Sequence, residues 1–197
     1  MLKRLFDLMI TIPMLLLVSP FFLIIALLIK LGSKGPVFYM QTRVGLNNRD
    51  FKIFKFRTMH INADKAGLLT VGGRDPRVTP IGFFLRKYKL DELPQLLNVL
   101  FGSMSLVGPR PEVRKYVELY NAEQQKVLSV KPGITDYASI EYSEENDLLA
   151  KSSDPEKTYI EEIMPAKLLL NQKYIAEKSI ITDLKIIWMT AAKIISH

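Results

Sequence analysis

Leu8-Met9-Ile10-Thr11-Ile12-Pro13-Met14-Leu15-Leu16-Leu17-Val18-Ser19-Pro20-Phe21-Phe22-Leu23-Ile24-Ile25-Ala26-Leu27-Leu28-Ile29 contains no charged side chain, and its reading sets the architecture of the whole chain. As a straight helix the run reaches about 33 Å, enough to cross a hydrocarbon layer of roughly 30 Å. A cleaved signal peptide is a competing reading, but the run exceeds the usual apolar stretch and no small-x-small site precedes the charged residues that end it. Ser19-Pro20 lies at its centre. Pro20 removes a helical amide and pushes Ser19 away from the α region, and Pro13 adds a weaker break. Lys3 and Arg4 precede the run, and Lys30 and Lys34 follow it. Positive flanks favour the cytoplasmic side, and here both flanks do. These features predict a helix-break-helix hairpin over residues 1–35 that dips into one leaflet and turns at Ser19 and Pro20. A kinked helix that spans the bilayer is the alternative, because prolines occur in true spans.

The remainder suits one domain: 197 residues, 48% hydrophobic and 24% charged, supply ample material for a core. The net charge of +7 is uneven. Residues 1–60 carry nine Lys or Arg against two acids, and residues 121–197 carry nine against twelve. The basic excess sits beside the apolar run, which fits anionic headgroups or an anionic substrate at the interface. No nucleic-acid recognition motif accompanies it, so nucleic acid is not the expected partner. With Cys 0, disulfides and thiolate metal sites are excluded.

The chemistry concentrates between Leu90 and Pro111. Asp91 and Glu92 stand side by side, and a stiff Gly108-Pro109-Arg110-Pro111 corner follows. A carboxylate facing a phosphate-gripping cation is the functional reading. Asp91 is also placed to cap a helix starting near Leu93-Pro94, where unpaired amides favour its anionic form. Neighbouring helical residues point about 100° apart, so the two acids would take separate roles rather than share a proton. The bland reading is a capping Asp91 and a solvated Glu92.

Elsewhere, Val37 to Met40 reads as a short strand leading into a turn over Gln41 to Asn48. Phe51 to Met59 reads as a second strand, with Phe54 and Phe56 on one face and Lys55 and Arg57 on the other. Residues 60–80 are loop-like, and Gly72-Gly73-Arg74-Asp75-Pro76-Arg77 is dense in turn formers and cations. Pro111 to Val130 is predicted as one amphipathic helix stopped by Lys131-Pro132-Gly133. Acids predominate from Glu141 to Glu162, which reads as a solvated face. Ile180 to Ile195 has an apolar stripe at helical spacing; such a stripe is usually core, but Trp188 and the flanking lysines also suit a helix lying against a membrane.

Taken together, Gln41-Thr42-Arg43-Val44-Gly45, Lys55-Phe56-Arg57-Thr58-Met59, Leu90-Asp91-Glu92-Leu93-Pro94-Gln95-Leu96, Asn98-Val99-Leu100, Met104 to Pro111 and Pro132-Gly133-Ile134-Thr135 closely resemble the bacterial sugar transferase family, the monotopic polyprenol-phosphate phosphoglycosyl transferases. Several blocks matching in order are far more specific than any one of them. The expectation is the short, single-lobe form, with no transmembrane bundle ahead of the anchor. The expected fold is α+β: the re-entrant hairpin, then a compact, mostly helical catalytic lobe with a small β element over residues 36–197.

The resemblance implies transfer of a phosphosugar from a UDP-sugar to undecaprenyl phosphate, with release of UMP, at the cytoplasmic face of the bacterial inner membrane and at the start of glycan assembly. It implies Asp91 as the nucleophile, forming a covalent aspartyl-phosphosugar, with Glu92 in general-base or metal-supporting work. Mg²⁺ is the implied cofactor, with Asp91 as a ligand. Lys55, Arg57, Arg86, Arg110 and Pro109 are the candidate substrate contacts, and Ser19 and Pro20 the hairpin break. A homodimer stays open as a partner, and a catalytically inactive membrane scaffold of the same fold is the rival function. Three departures fall within the pattern: Ser103 where the family has Asp, Asp136 where it has Gly, and Ala138 to Tyr142 in place of the common continuation. The donor sugar is left open.

Overall fold

The computed structural model describes residues 1–63, 67, 69–72 and 75–195; Gly73 and Arg74 of the glycine-rich loop lie outside them. Helix α1 occupies Leu2–Gly32. An antiparallel hairpin follows, β1 (Phe38–Val44) against β2 (Asp50–Phe56), with Phe38 opposite Phe56 and Val44 opposite Asp50. Then come α2 (Pro80–Lys87), α3 (Gln95–Phe101), β3 (Ser105–Val107), α4 (Arg114–Val117) and β4 (Gly133–Thr135). The chain ends in α5 (Tyr137–Glu141), α6 (Glu145–Ala150), α7 (Pro155–Thr158), a π-helical turn Tyr159–Ile163, α8 (Met164–Glu177) and α9 (Ile180–Ile195). Mixed helix and small sheets agree with the expected α+β class.

At Ser19-Pro20 the helical hydrogen bonding continues, with Pro13 and Pro20 inside α1, so the two halves expected on either side belong to one helix. The reason is local. Pro20 has no N–H to give the carbonyl of Leu16, one turn earlier, and the Ser19 hydroxyl donates to that carbonyl instead at 2.9 Å. Among the described residues, α1 is the helix long and apolar enough to cross a membrane. Leu16, Leu17, Leu23 and Leu31 are exposed along it.

Both halves of α1 nevertheless pack on the lobe. Ile10, Leu15 and Val18 join a cluster built on Leu96, Val99, Leu106 and Ile186, while Ile25 and Ile29 pack with Phe56 and Leu85. Polar contacts fix each end. Arg4 donates to the carbonyls of Val99 and Leu100, and Asp7 accepts from the Ser105 hydroxyl at 2.9 Å and from the Leu106 amide at 3.3 Å. At the other end Arg57 donates to the Ser33 hydroxyl and carbonyl at 2.8 and 3.0 Å.

Three further expectations are corrected. Gln41 to Arg43 belong to β1, and the turn is confined to the residues after Val44, where Asn47 and Asn48 supply φ of 55° and 61°. Pro111 to Val130 is not one helix: Asn121 and Gln124 exchange backbone-to-side-chain hydrogen bonds, which ends α4's turn and starts a separate 3₁₀ run, Gln124–Ser129. Val113, Val117, Tyr120 and Val127 still reach the core. In α9 the buried positions are Asp183 and Ile186, whereas Ile181, Leu184, Trp188 and Ile195 of the apolar stripe face outward.

β3 and β4 pair in parallel, Ser105 with Gly133 and Val107 with Thr135. A Cβ on Gly133 would lie 2.1 Å from the Gly108 nitrogen, and one on Gly108 would lie 2.4 Å from the Lys131 carbonyl oxygen. The two glycines therefore let the Gly-Pro-Arg-Pro corner sit directly against the Pro-Gly-Ile-Thr segment. Gly133→Ala should cost about 3 kcal/mol, the upper end for forcing atoms into a filled space, read as a lowered midpoint in thermal or denaturant unfolding.

Candidate active site

A cavity of about 480 Å³ opens among β1, β2, α2, the Gly-Pro-Arg-Pro corner and α8, within the range that suits small-molecule ligands. Asp91, Lys55, Arg86 and Arg110 all line it.

The chain delivers Asp91 by a turn rather than by a helix cap, which corrects the capping expectation. Lys89 takes a left-handed conformation at φ 55° after α2, and Leu90–Glu92 form a 3₁₀ turn. Pro94 lacks the N–H that would extend an α ladder across this point, so α3 begins only at Gln95. The Asn98 amide then pins α3 to the edge of β2, accepting from the Phe54 amide at 2.9 Å and donating to the Lys52 carbonyl at 2.8 Å.

The two acids have different fates. Glu92 is paired on both oxygens: Lys55 Nζ lies 3.0 Å from Oε1, Arg110 Nη1 donates to Oε2 at 3.0 Å, and Arg110 Nη2 also donates to Oε1. Asp91 is buried, and among the described residues it makes no hydrogen bond or ion pair. Burial pushes the Asp91 carboxyl up, and the adjacent Glu92 charge adds to this; Lys55, Arg86 and Lys89 offset only part. Burial acts the same way on Glu92, but Arg110 and Lys55 outweigh it and hold that carboxyl well below the usual carboxylate range. Glu92's charge raises the Arg110 guanidinium against the effect of burial. Burial lowers Lys55 and Arg86, which face the same space.

The remaining candidates divide. Arg86, on α2, is aimed by the Thr58 hydroxyl, which accepts its Nε–H at 3.0 Å, and α2 is started by Thr79, whose side chain accepts from the Gly82 amide. Arg57 also lines the cavity, but its guanidinium is committed to Ser33, the Pro36 carbonyl at 2.6 Å and the Met59 carbonyl, so it ties the end of α1 to the segment after β2. Pro109 lies buried behind the corner, its carbonyl accepting from the Gly133 amide at 3.0 Å rather than facing Asp91.

Sequence reasoning missed the opposite wall. Glu112 accepts from Arg43 Nη1 at 3.0 Å and from the Tyr159 hydroxyl, and Lys167 pairs with Glu145 at 2.5 Å. Glu145 and Tyr159 both line the cavity although they fall in the acidic stretch read as solvated. Tyr142, Leu149 and Tyr159, which interrupt that acidic run and pack in the core, were the available signal.

A family model for bacterial sugar transferases matches residues 1–197. The chain belongs to the bacterial sugar transferase family. It is 39% identical over 197 residues to a UDP-glucose:undecaprenyl-phosphate glucose-1-phosphate transferase of Escherichia coli, covering 98% of this chain and 40% of that protein. It is 45% identical over 141 residues to a UDP-N-acetylgalactosamine-undecaprenyl-phosphate N-acetylgalactosaminephosphotransferase of Aeromonas hydrophila, covering 70% of this chain and 33% of the relative. An exopolysaccharide production protein of Rhizobium leguminosarum is 39% identical, with 96% of this chain and 92% of the relative covered. The chain thus spans about two-fifths of the length of the E. coli relative.

Two of the residues expected to depart from the family pattern hold structural contacts. Asp136 caps α5 through the Ser139 amide at 2.6 Å and accepts the backbone amide of Arg110 at 3.1 Å, fixing the corner that carries that cation. Ser103 accepts from Asn98 Nδ2 at 3.1 Å, away from the cavity.

As a metal site the residues suit a cation that brings its own ligands. Among the described residues no three His, Asp or Glu side chains cluster to hold an ion. With Glu92 paired, Asp91 is the available carboxylate at the cation cluster. Mg²⁺ binds in this manner, through one or two carboxylates, substrate phosphates and water.

Because the Asp91 carboxyl is raised by folding, its ionisation opposes stability once pH rises through that raised value. Asp91→Asn should therefore melt about 2–4 °C above wild type at pH 7, and the gap should close as pH falls toward the unfolded-state carboxyl value of about 3.9. Thermal melts across pH check this.

Proposed function

We propose that the protein transfers a phosphosugar from a UDP-sugar to undecaprenyl phosphate, with Asp91 as nucleophile. The observation that carries this reading is an unpaired, buried carboxylate among cations in a ligand-sized cavity. The Asp91 carboxylate attacks the sugar-proximal phosphorus; an acyl phosphate bond forms, the bond to the bridging oxygen breaks, and UMP leaves with that electron pair. A phosphate oxygen of undecaprenyl phosphate then attacks the same phosphorus and returns Asp91 as a carboxylate. A covalent step lets one small site handle a soluble donor and a lipid acceptor in turn.

Lys55, Arg86 and Arg110 neutralise phosphate charge that would otherwise repel Asp91. Mg²⁺ bound beside Asp91 would supply further charge neutralisation to the diphosphate. Glu92 acts as a positioning residue: with both oxygens paired and its carboxyl held low, it is a poor base but a firm anchor for Arg110 and Lys55.

The anchor is read as re-entrant, with the lobe on the cytoplasmic face of the inner membrane. Arg4 and Ser33 both bond the same lobe, whereas a straight 31-residue helix would carry its ends about 45 Å apart. The outward stripe of α9, with Trp188, suits the same interface.

Nanodisc-held protein given Mg²⁺, undecaprenyl phosphate and a panel of UDP-sugars should release UMP with at least one donor. Asp91→Asn should reduce the rate by about 10³-fold or more while remaining folded; no release from any donor supports the scaffold instead. For topology, the native chain has no cysteine, so Leu2→Cys and Lys34→Cys can be labelled singly. Both should react from the cytoplasmic side, and labelling from opposite sides overturns the re-entrant reading.

A further inference from the structure

Among the described residues, the buried side-chain polar atoms without a hydrogen-bond partner are Thr11 Oγ1, both amide atoms of Gln95, Ser139 Oγ and Asn171 Oδ1. Of these residues only Asn171 lines the cavity. It is 5% exposed, and its amide makes no hydrogen bond among the described residues. A buried amide left unpaired is costly, which marks the position as one kept for something other than stability.

Its surroundings are aromatic and apolar: Tyr116, Tyr120, Tyr159, Met164 and Leu168 line the same cavity. Tyr159, Met164, Leu168 and Asn171 are all buried, at successive spacings of five, four and three residues. The first spacing suits one face only because Tyr159–Ile163 forms a π turn, an irregularity that recurs at functional sites. The Tyr116 and Tyr159 rings, 4.9 Å apart and tilted 56° to each other, form an aromatic wall of the same cavity. Glu112 joins this wall to the cationic end, since it accepts from the Tyr159 hydroxyl two residues beyond Arg110.

We propose that Asn171 reads the base of the nucleotide donor. A carboxamide offers one acceptor beside one donor, the complement of uracil's imide edge: N3–H donates to Oδ1, and a ring carbonyl accepts from Nδ2. The planar ring lies against the tyrosine wall, an arrangement that a sugar hydroxyl would not need. The inference rests on the UDP-linked donor proposed above. The rival is that the amide serves only a neighbouring cavity of about 20 Å³ behind Pro109 to Glu112, which Asn171 also borders.

The test is calorimetric binding of UMP and N3-methyl-UMP to the full chain in nanodiscs, with wild type and Asn171→Leu. N3-methylation should weaken wild-type binding about tenfold or more. Asn171→Leu should weaken UMP comparably and bind both nucleotides equally, a non-additive pattern that a general packing defect would not produce. The leucine removes an orphaned polar group at similar volume, so the variant should melt no lower than wild type. Equal wild-type affinity for the two nucleotides overturns the assignment to Asn171 and leaves the donor reading standing, a measurement that needs no variant. Full discrimination retained by Asn171→Leu overturns it as well. Absence of UMP binding to folded wild type overturns the donor reading, and this inference with it.

Discussion

Glu92 is the constraint on which the site depends. Its two oxygens hold Lys55 from β2 and Arg110 from the Gly-Pro-Arg-Pro corner, so segments far apart in sequence meet at one carboxylate. The group is half-buried, with Arg110 a third exposed, so removing one member leaves a charge that solvent screens in part. The same pairing explains Asp91. The cations are engaged by its neighbour, and Asp91 is left buried, unpaired and next to a like charge, a combination that opposes stability and suits a nucleophile.

The corner bearing Arg110 is built to the same tolerance. Gly108 and Gly133 touch backbone to backbone, and Asp136 takes the Arg110 amide from the far side while capping α5. Arg110 therefore enters the cavity from a segment clamped by β4 and by the start of α5. Asp136 thus has a mechanical role, and it makes one cation's position a property of the fold.

The apolar helix is integral to this arrangement. Arg57 was the natural candidate for a substrate contact, since it alternates with Phe56 beside Lys55, yet its donors go to the end of α1. Arg4 and Asp7 bind the other end to α3 and β3, the elements that follow the turn bearing Asp91. The position of α1 and that of the turn bearing Asp91 are thus coupled through short hydrogen-bonded links.

Local chemistry made much of this legible. The uncharged run with basic flanks depends on neighbours in sequence, and it forms one long helix; the second strand was expected over Phe51 to Met59 but ends at Phe56, and Arg57, expected to share a face with Lys55, lies past it and is buried. What sequence left open were choices between equivalent candidates. It could not tell which acid of the pair would be neutralised, that Arg57 would turn to Ser33 while Arg86 faced the cavity, or that α9's stripe would face outward. Nor could it bring Asn171 and Tyr159 to the cavity that Asp91 lines, because that placement arises from a π turn and from contacts across the chain. The sequence by itself determined the long apolar helix, the family and the adjacent acid pair Asp91-Glu92, since these are properties of composition and order. Tertiary structure alone decided which charges pair, because pairing depends on distances between segments that the chain does not fix until it is packed.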